Sequence, residues 1–303
     1  MSVDLEVDLG GLQLRNPVMP ASGCFGFGRE YGEYYSLDEL GAVVVKATTL
    51  YPRLGNPTPR VTEVTGGMLN AIGLANPGLD EVLAEELPWL AGQNVPIFVN
   101  VAGDTVEDYC EVVEQVSRSG LAQAVELNVS CPNVKLGGLA FGVDATVLRG
   151  LVEEVRKVCT LPLFVKLSPN VTRVQDLALA AACGGADGLS LINTLIGMQI
   201  DLTTRKPVLA NKTGGLSGRA IKPVAVRMVY DVAREVDLPI IGMGGIYSGR
   251  DAAEFIMAGA WAVEVGTANF TDPYACPRII AELRSFMQEE GIKNIEEIRG
   301  CAL

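Results

Sequence analysis

The chain has 303 residues, 49% of them hydrophobic, with a mean hydropathy of +0.27, a net charge of −12 and no histidine. The basic residues do not cluster, which argues against the footprint of a nucleic-acid binder, and the acid excess reads as a soluble surface. No apolar run approaches the roughly 18 residues that span a bilayer, and the acidic start MSVDLEVDLGG does not read as a signal peptide, so a cytoplasmic protein is expected.

In chain order, residues 3–14 alternate around Gly10-Gly11 and predict a small hairpin. Eight short apolar runs follow, at 17–23, 41–49, 96–103, 124–133, 162–170, 185–194, 239–246 and 262–270. Between them lie amphipathic, helix-like stretches such as 105–119, 144–159 and 222–236. Nearly continuous apolar strands alternating with helices indicate a parallel sheet. Eight such units predict an α/β fold, a (β/α)8 TIM barrel, with residues 1–303 forming one domain. The hairpin would close the bottom of the barrel. Insertions are expected after strands two (50–77), four (133–142) and six (195–218). All three follow strand C-termini, the face where barrel enzymes place their sites.

The strand ends present a polar set: Ser22, Lys46 with Ala47, Asn100, Asn128 with Ser130, Cys131 and Asn133, Lys166, Asn193-Thr194, Gly244-Gly245 and Gly266-Thr267. Two lysines and several carboxamides are expected to converge there without a carboxylate cluster. That suits an anionic ligand and a planar heterocycle with alternating donors and acceptors. Either lysine alone could snorkel to water at the barrel mouth, but two inside apolar strands favour ligand contact. The glycine pairs could serve only as tight turns. Their position after strands seven and eight favours phosphate binding through exposed backbone amides.

The stretch Asn128-Val129-Ser130-Cys131-Pro132-Asn133 delivers a thiol, a hydroxyl and two carboxamides to one strand end. With no histidine in the chain, Cys131 is the candidate general base. Gly137-Gly138, just beyond, could hinge a lid. The seven cysteines are odd in number and form no CxxC, so a disulfide framework, a structural zinc site and an iron–sulfur ligand set are not indicated. No metal site is expected.

The motifs SGCFGFG (22–28), VKATT (45–49), GNPTPR (55–60), NAIGLANPG (70–78), NVSCPN (128–133), VKLSPN (165–170), INT (192–194), GGLSG (214–218), GMGG (242–245) and VGTANF (265–270), in this order, resemble dihydroorotate dehydrogenase of the soluble class 1. Cysteine at 131 resembles class 1 rather than class 2, which carries serine. The wording of VKATT, GNPTPR and SGCFGFG resembles subclass 1B, the NAD-linked catalytic subunit. The resemblance implies oxidation of (S)-dihydroorotate to orotate on FMN, in pyrimidine biosynthesis, with Cys131 as base. It implies a substrate site of Lys46, Asn70, Ala71, Ile72, Gly73, Leu74, Asn128, Asn133, Asn193 and Thr194. It implies FMN contacts from Ser22, Lys46, Ala47, Asn100, Asn128, Lys166, Ile192, Gly218, Gly244, Gly245, Gly266 and Thr267. It also implies a partner subunit carrying FAD and a 2Fe–2S cluster, on a homodimer core within a heterotetramer. The chain has no dinucleotide fingerprint and no cluster-ligand spacing of its own.

Three rival readings remain at this level. A class 1A enzyme would reduce fumarate directly. A dihydropyrimidine dehydrogenase tends to carry histidine after its Cys-Pro, where this chain has Asn133. A flavin- or pyrimidine-binding barrel without catalysis would not need Cys131.

Overall fold

The computed structural model describes residues 3–129 and 141–303. Eight parallel strands form the barrel: β1 (Val18–Pro20), β2 (Val43–Val44), β3 (Ile97–Val101), β4 (Ala124–Asn128), β5 (Leu163–Lys166), β6 (Gly188–Leu191), β7 (Ile240–Met243) and β8 (Ala262–Val265). Their hydrogen-bonded order runs β1-β8-β7-β6-β5-β4-β3-β2, so each strand lies beside its neighbour in sequence. Each of the eight predicted runs contains one of these strands. Every residue of the eight strands is buried, because helices cover the outer face while side chains fill the inner one. This is why the strands read as continuous apolar runs rather than as alternation.

The helices begin where the sequence offers a cap. Thr105 Oγ1 accepts the Asp108 amide at 3.1 Å and Asp108 accepts the Thr105 amide at 3.2 Å, which starts the helix Val106–Ser119. Asp144 accepts two amides, from Thr146 and Val147, both at 2.9 Å, and starts Ala145–Val158. Each helix turns an apolar stripe onto the strands, Tyr109, Val112, Val113 and Val116 in the first and Leu148, Leu151, Val152 and Val155 in the second.

The N-terminal hairpin is present, with Val7 opposite Leu14 and Asp8 opposite Gln13. The insertion between strands two and three and the one between strands six and seven do not stay separate. Val61–Val64, Gly67–Asn70, Gly214–Ser217 and Leu195–Gly197 form one four-stranded antiparallel sheet. Its central pairing sets Asn70 against Gly215 and Leu69 against Leu216. The insertion expected after strand four falls largely on residues 130–140, outside the described residues.

The ring closes between β1 and β2 through the Gly41 amide, which donates to the Val18 carbonyl at 2.9 Å. A Cβ on Gly41 would lie 2.2 Å from the Asn16 carbonyl oxygen and 3.2 Å from that of Val18. Both obstacles are backbone, so a side chain here must spread the two strands. Gly41→Ala is expected to destabilise the fold by about 2–3 kcal/mol, the scale of overpacking in a tight core. Urea unfolding reads this as a lowered midpoint, and an unchanged midpoint would show that closure does not depend on this contact.

Candidate active site at the strand C-termini

The barrel interior carries a polar layer in an otherwise apolar core. Asn100 (β3), Glu126 and Asn128 (β4), Lys166 (β5), Ser190 (β6) and Glu264 (β8) are all buried. Lys166 Nζ lies 3.1 Å from Glu126 Oε1 and 3.1 Å from Glu264 Oε2. Asn100 Nδ2 donates to Glu126 Oε1 at 2.5 Å, and Asn128 Nδ2 donates to Asn100 Oδ1 at 3.3 Å. Tyr109, from the helix Val106–Ser119, donates its hydroxyl to the Asn128 carbonyl at 2.8 Å. A connected chain of bonds thus runs from the outer helix to the barrel axis.

Burial alone would drive both carboxyls up and the ammonium down. For Lys166 the two glutamates outweigh burial, so the ammonium is held above the usual lysine range. Glu126 is pulled below the usual carboxylate range despite burial, by the Lys166 charge and by hydrogen bonds. Glu264 goes the other way: burial and then the Glu126 charge push it up, and Lys166 offsets this only in part. Contrary to the expectation of no carboxylate cluster, two buried carboxyls, Glu126 and Glu264, flank Lys166. Glu126 in AVELN and Glu264 in AVEV carried the signal that marked Lys166 in LFVK, a charge inside an apolar strand. Each reads as incompatible with a buried strand until the three are brought together.

Lys46 lies beyond β2, half-buried, with its amide donating to the Gly26 carbonyl at 2.9 Å. Burial lowers its ammonium pKa, Cys24 opposes this, and nearby Arg60 lowers it further. Cys24, not singled out by sequence, faces Lys166, Glu264 and Lys46, and burial pushes its thiol up to about 11. Ala47 is buried beside Lys46.

Asn70 to Leu74 form a half-exposed arm on the insertion sheet. The Ala71 amide donates to the Arg60 carbonyl at 2.8 Å, and the Ile72 carbonyl accepts from the Asn56 amide at 2.9 Å. Asn70 Nδ2 donates weakly to the Gly215 carbonyl at 3.5 Å. Gly215 also presses on Thr194, where a Cβ would lie 2.0 Å from Thr194 Oγ1. Asn70 and Thr194, far apart in sequence, therefore meet across one glycine. Asn193 Oδ1 accepts the Thr194 amide at 2.8 Å, and the preceding Leu191–Ile192 peptide is cis.

The glycines after β6, β7 and β8 also converge. Gly218, Gly244 and Gly245 have φ of 107°, 124° and 79°, values that favour glycine. A Cβ on Gly245 would lie 2.9 Å from the Gly218 carbonyl oxygen. Thr267 Oγ1 donates to Ser217 Oγ at 2.8 Å, tying the loop after β8 to the same spot. A Cβ on Gly244 would lie 3.5 Å from Ile192 Cγ1. A Cβ on Gly266 would meet nothing closer than Cys24 Sγ at 3.6 Å, so this glycine leaves space open. Ser22 sits next to it, since the Ala21 amide donates to the Val265 carbonyl at 2.8 Å. Lys222, although adjacent, is tied to Asp251 at 2.7 Å and Glu254 at 2.6 Å. Ser130, Cys131 and Asn133 lie outside the described residues. Among the described residues there is no cluster that could hold a metal ion, and no helix is long and apolar enough to cross a membrane.

Residues 4–287 match the sequence family described as Dihydroorotate dehydrogenase. Two curated relatives, from Geobacillus sp. (strain WCH70) and Anoxybacillus flavithermus (strain DSM 21510 / WK1), are named "Dihydroorotate dehydrogenase B (NAD(+)), catalytic subunit". Each is 60% identical over 296 residues, covering 98% of this chain and 95% of the relative. A crystal structure of DHODH in complex with ferulenol from Eimeria tenella has a TM-score of 0.81 and 28% identity, over 98% of this chain and 88% of that one. An eight-stranded barrel with this match along nearly its whole length belongs to the dihydroorotate dehydrogenase family and is an enzyme of that family.

Proposed function

We propose that this chain is the catalytic subunit of an NAD-linked dihydroorotate dehydrogenase, oxidising (S)-dihydroorotate to orotate for pyrimidine biosynthesis with FMN as its cofactor. The observation that carries the reading is the convergence of two unlike ends at one barrel mouth. One end is a glycine and hydroxyl cradle of Gly218, Gly244, Gly245 and Thr267. The other is the lysine and carboxamide layer of Lys166, Asn100 and Asn128.

These residues fit FMN. Backbone amides exposed by glycine after β7 and β8, with Gly266 leaving open space, suit a phosphate monoester. Lys166 uses two of its three N–H donors on glutamates among the described residues, and the third can meet the electron-rich edge of a flavin. Ser22, Lys46, Ala47 and Ile192 complete the cofactor set on our reading.

For the substrate, Asn70, Asn128, Asn133, Asn193 and Thr194 offer paired donors and acceptors to the amide-like edges of a pyrimidine ring. Ala71, Ile72, Gly73 and Leu74 would line it, and the Lys46 ammonium suits its carboxylate. Bound FMN would supply the hydride acceptor for the hydrogen on C6. Cys131 takes the C5 proton as a thiolate, and the C5–C6 double bond of orotate forms. The relatives' name, a catalytic subunit linked to NAD(+), supports a separate partner. We assign FAD and a 2Fe–2S cluster to that partner, on a homodimer of this chain within a heterotetramer. A cytoplasmic location accompanies that assignment.

Anaerobic mixing of the purified yellow chain with dihydroorotate is expected to bleach the flavin band; a persistent band would refute the substrate assignment. Colour should return with NAD⁺ only after the partner subunit is added. Reoxidation by fumarate alone would favour the fumarate-linked subclass instead.

Cys131→Ala is expected to slow flavin reduction at neutral pH by about 10²–10⁴, the usual worth of a positioned base, while FMN stays bound. An ordinary thiol titrates at about 8.5, so wild-type reduction should speed up as pH rises towards that value. Cys131→Ser should be slow at neutral pH and recover in alkali. Stopped-flow traces of the alanine variant that match wild type would remove Cys131 from the role of base.

A further inference from the structure

The buried charges on the barrel axis have a feature that ligand binding does not account for. Lys166 donates to one oxygen of each glutamate, both at 3.1 Å. The other oxygens, Glu126 Oε2 and Glu264 Oε1, are buried and have no hydrogen-bond partner among the described residues. Yet both carboxyl groups lie against the one Lys166 ammonium, each bearing on the other's ionisation. Two carboxylates and one ammonium would leave a net charge of −1 there, with two anionic oxygens facing no donor. An unmatched buried charge costs several kcal/mol, so this arrangement is strongly disfavoured.

The neighbours do not supply the missing charge. Asn100 from β3 is already bound to Glu126 Oε1, and Ser190 from β6 is neutral, its buried hydroxyl without a hydrogen-bond partner among the described residues. Cys24, from the turn after β1, faces Glu264 and Lys166 with a thiol that burial keeps protonated. Lys46, beyond β2, acts on Cys24. One added proton removes both difficulties. It brings the group to neutrality, and an O–H···O⁻ bond gives each orphan oxygen a partner.

We propose that Glu126 and Glu264 share a single proton, carried on Glu264, so that a net-neutral Lys166–Glu126–Glu264 group positions the Lys166 ammonium at the cofactor. Glu126 and Glu264 are positioning residues that act through Lys166. The asymmetry of their surroundings supports this placement of the proton, since Lys166 and Asn100 both donate to Glu126 while, among the described residues, Glu264 receives only Lys166. A neutral group leaves no uncompensated anion beside a cofactor that gains negative charge on reduction. The last step rests on the FMN reading; the shared proton does not.

The test joins infrared spectroscopy with flavin potentiometry on Glu126→Gln, Glu264→Gln and the double variant, each purified as the holoprotein at neutral pH. Wild type is expected to show the carbonyl stretch of a buried protonated carboxyl, shifted by ¹³C-labelled glutamate. Either single substitution should abolish it, because the remaining carboxyl ionises against Lys166. Each single variant should keep the wild-type flavin midpoint potential. The double variant, whose ammonium has no counterion, should shift it positive. No such band in wild type, or a positive shift in either single variant, would overturn the proposal. If a variant fails to fold, the labelled wild-type spectrum still decides. The infrared band does not require flavin, so a chain that binds no FMN would refute the functional reading and leave the proton measurable.

Discussion

A charge on the axis of a closed barrel must be matched from within the barrel. Lys166 sits there between Glu126 and Glu264, with Asn100 and Asn128 relaying bonds outward to the helix that carries Tyr109. These residues come from β3, β4, β5 and β8, so they take up their geometry only when the ring is complete. The same closure fixes the strand C-termini around one mouth. Barrel stability and site geometry are therefore coupled through a single polar layer.

The rim is assembled differently. Two insertions, one between β2 and β3 and one between β6 and β7, pair into a four-stranded sheet that brings Asn70 against Gly215 and Gly215 against Thr194. The second insertion also carries Gly218, which reaches the Gly244-Gly245 turn beyond β7. One element thus links the proposed pyrimidine end of the site to the proposed phosphate end. Glycine is required there because the backbones approach too closely for a Cβ.

The barrel was legible in the sequence because buried parallel strands leave continuous apolar runs, and each predicted run holds one observed strand. The hairpin at Gly10-Gly11 was legible from its alternation and its turn residues. The insertion sheet was not. Its strands, such as GMLN and GGLS, are glycine-rich and half-exposed, and their pairing joins segments far apart in sequence. The lysines stood out as misplaced charges, but Glu126 and Glu264 were not connected to them. Their meaning depends on contact across the barrel, which no local pattern encodes. Cys24 stayed hidden because one thiol looks like another until its charged neighbours are known. Cys131 and Asn133 rest on the sequence motif alone, since they lie outside the described residues.

We propose that one barrel mouth holds FMN by its phosphate at the glycine cradle and by its ring beside Lys166. A crystal structure of the chain with FMN and orotate tests it most directly. The phosphate is expected against the amides of Gly244, Gly245 and Gly266, the polar edge of the ring within hydrogen-bonding distance of Lys166 Nζ, and orotate beside Asn70, Asn193 and Thr194. A phosphate bound elsewhere, or a ring remote from Lys166, would contradict it.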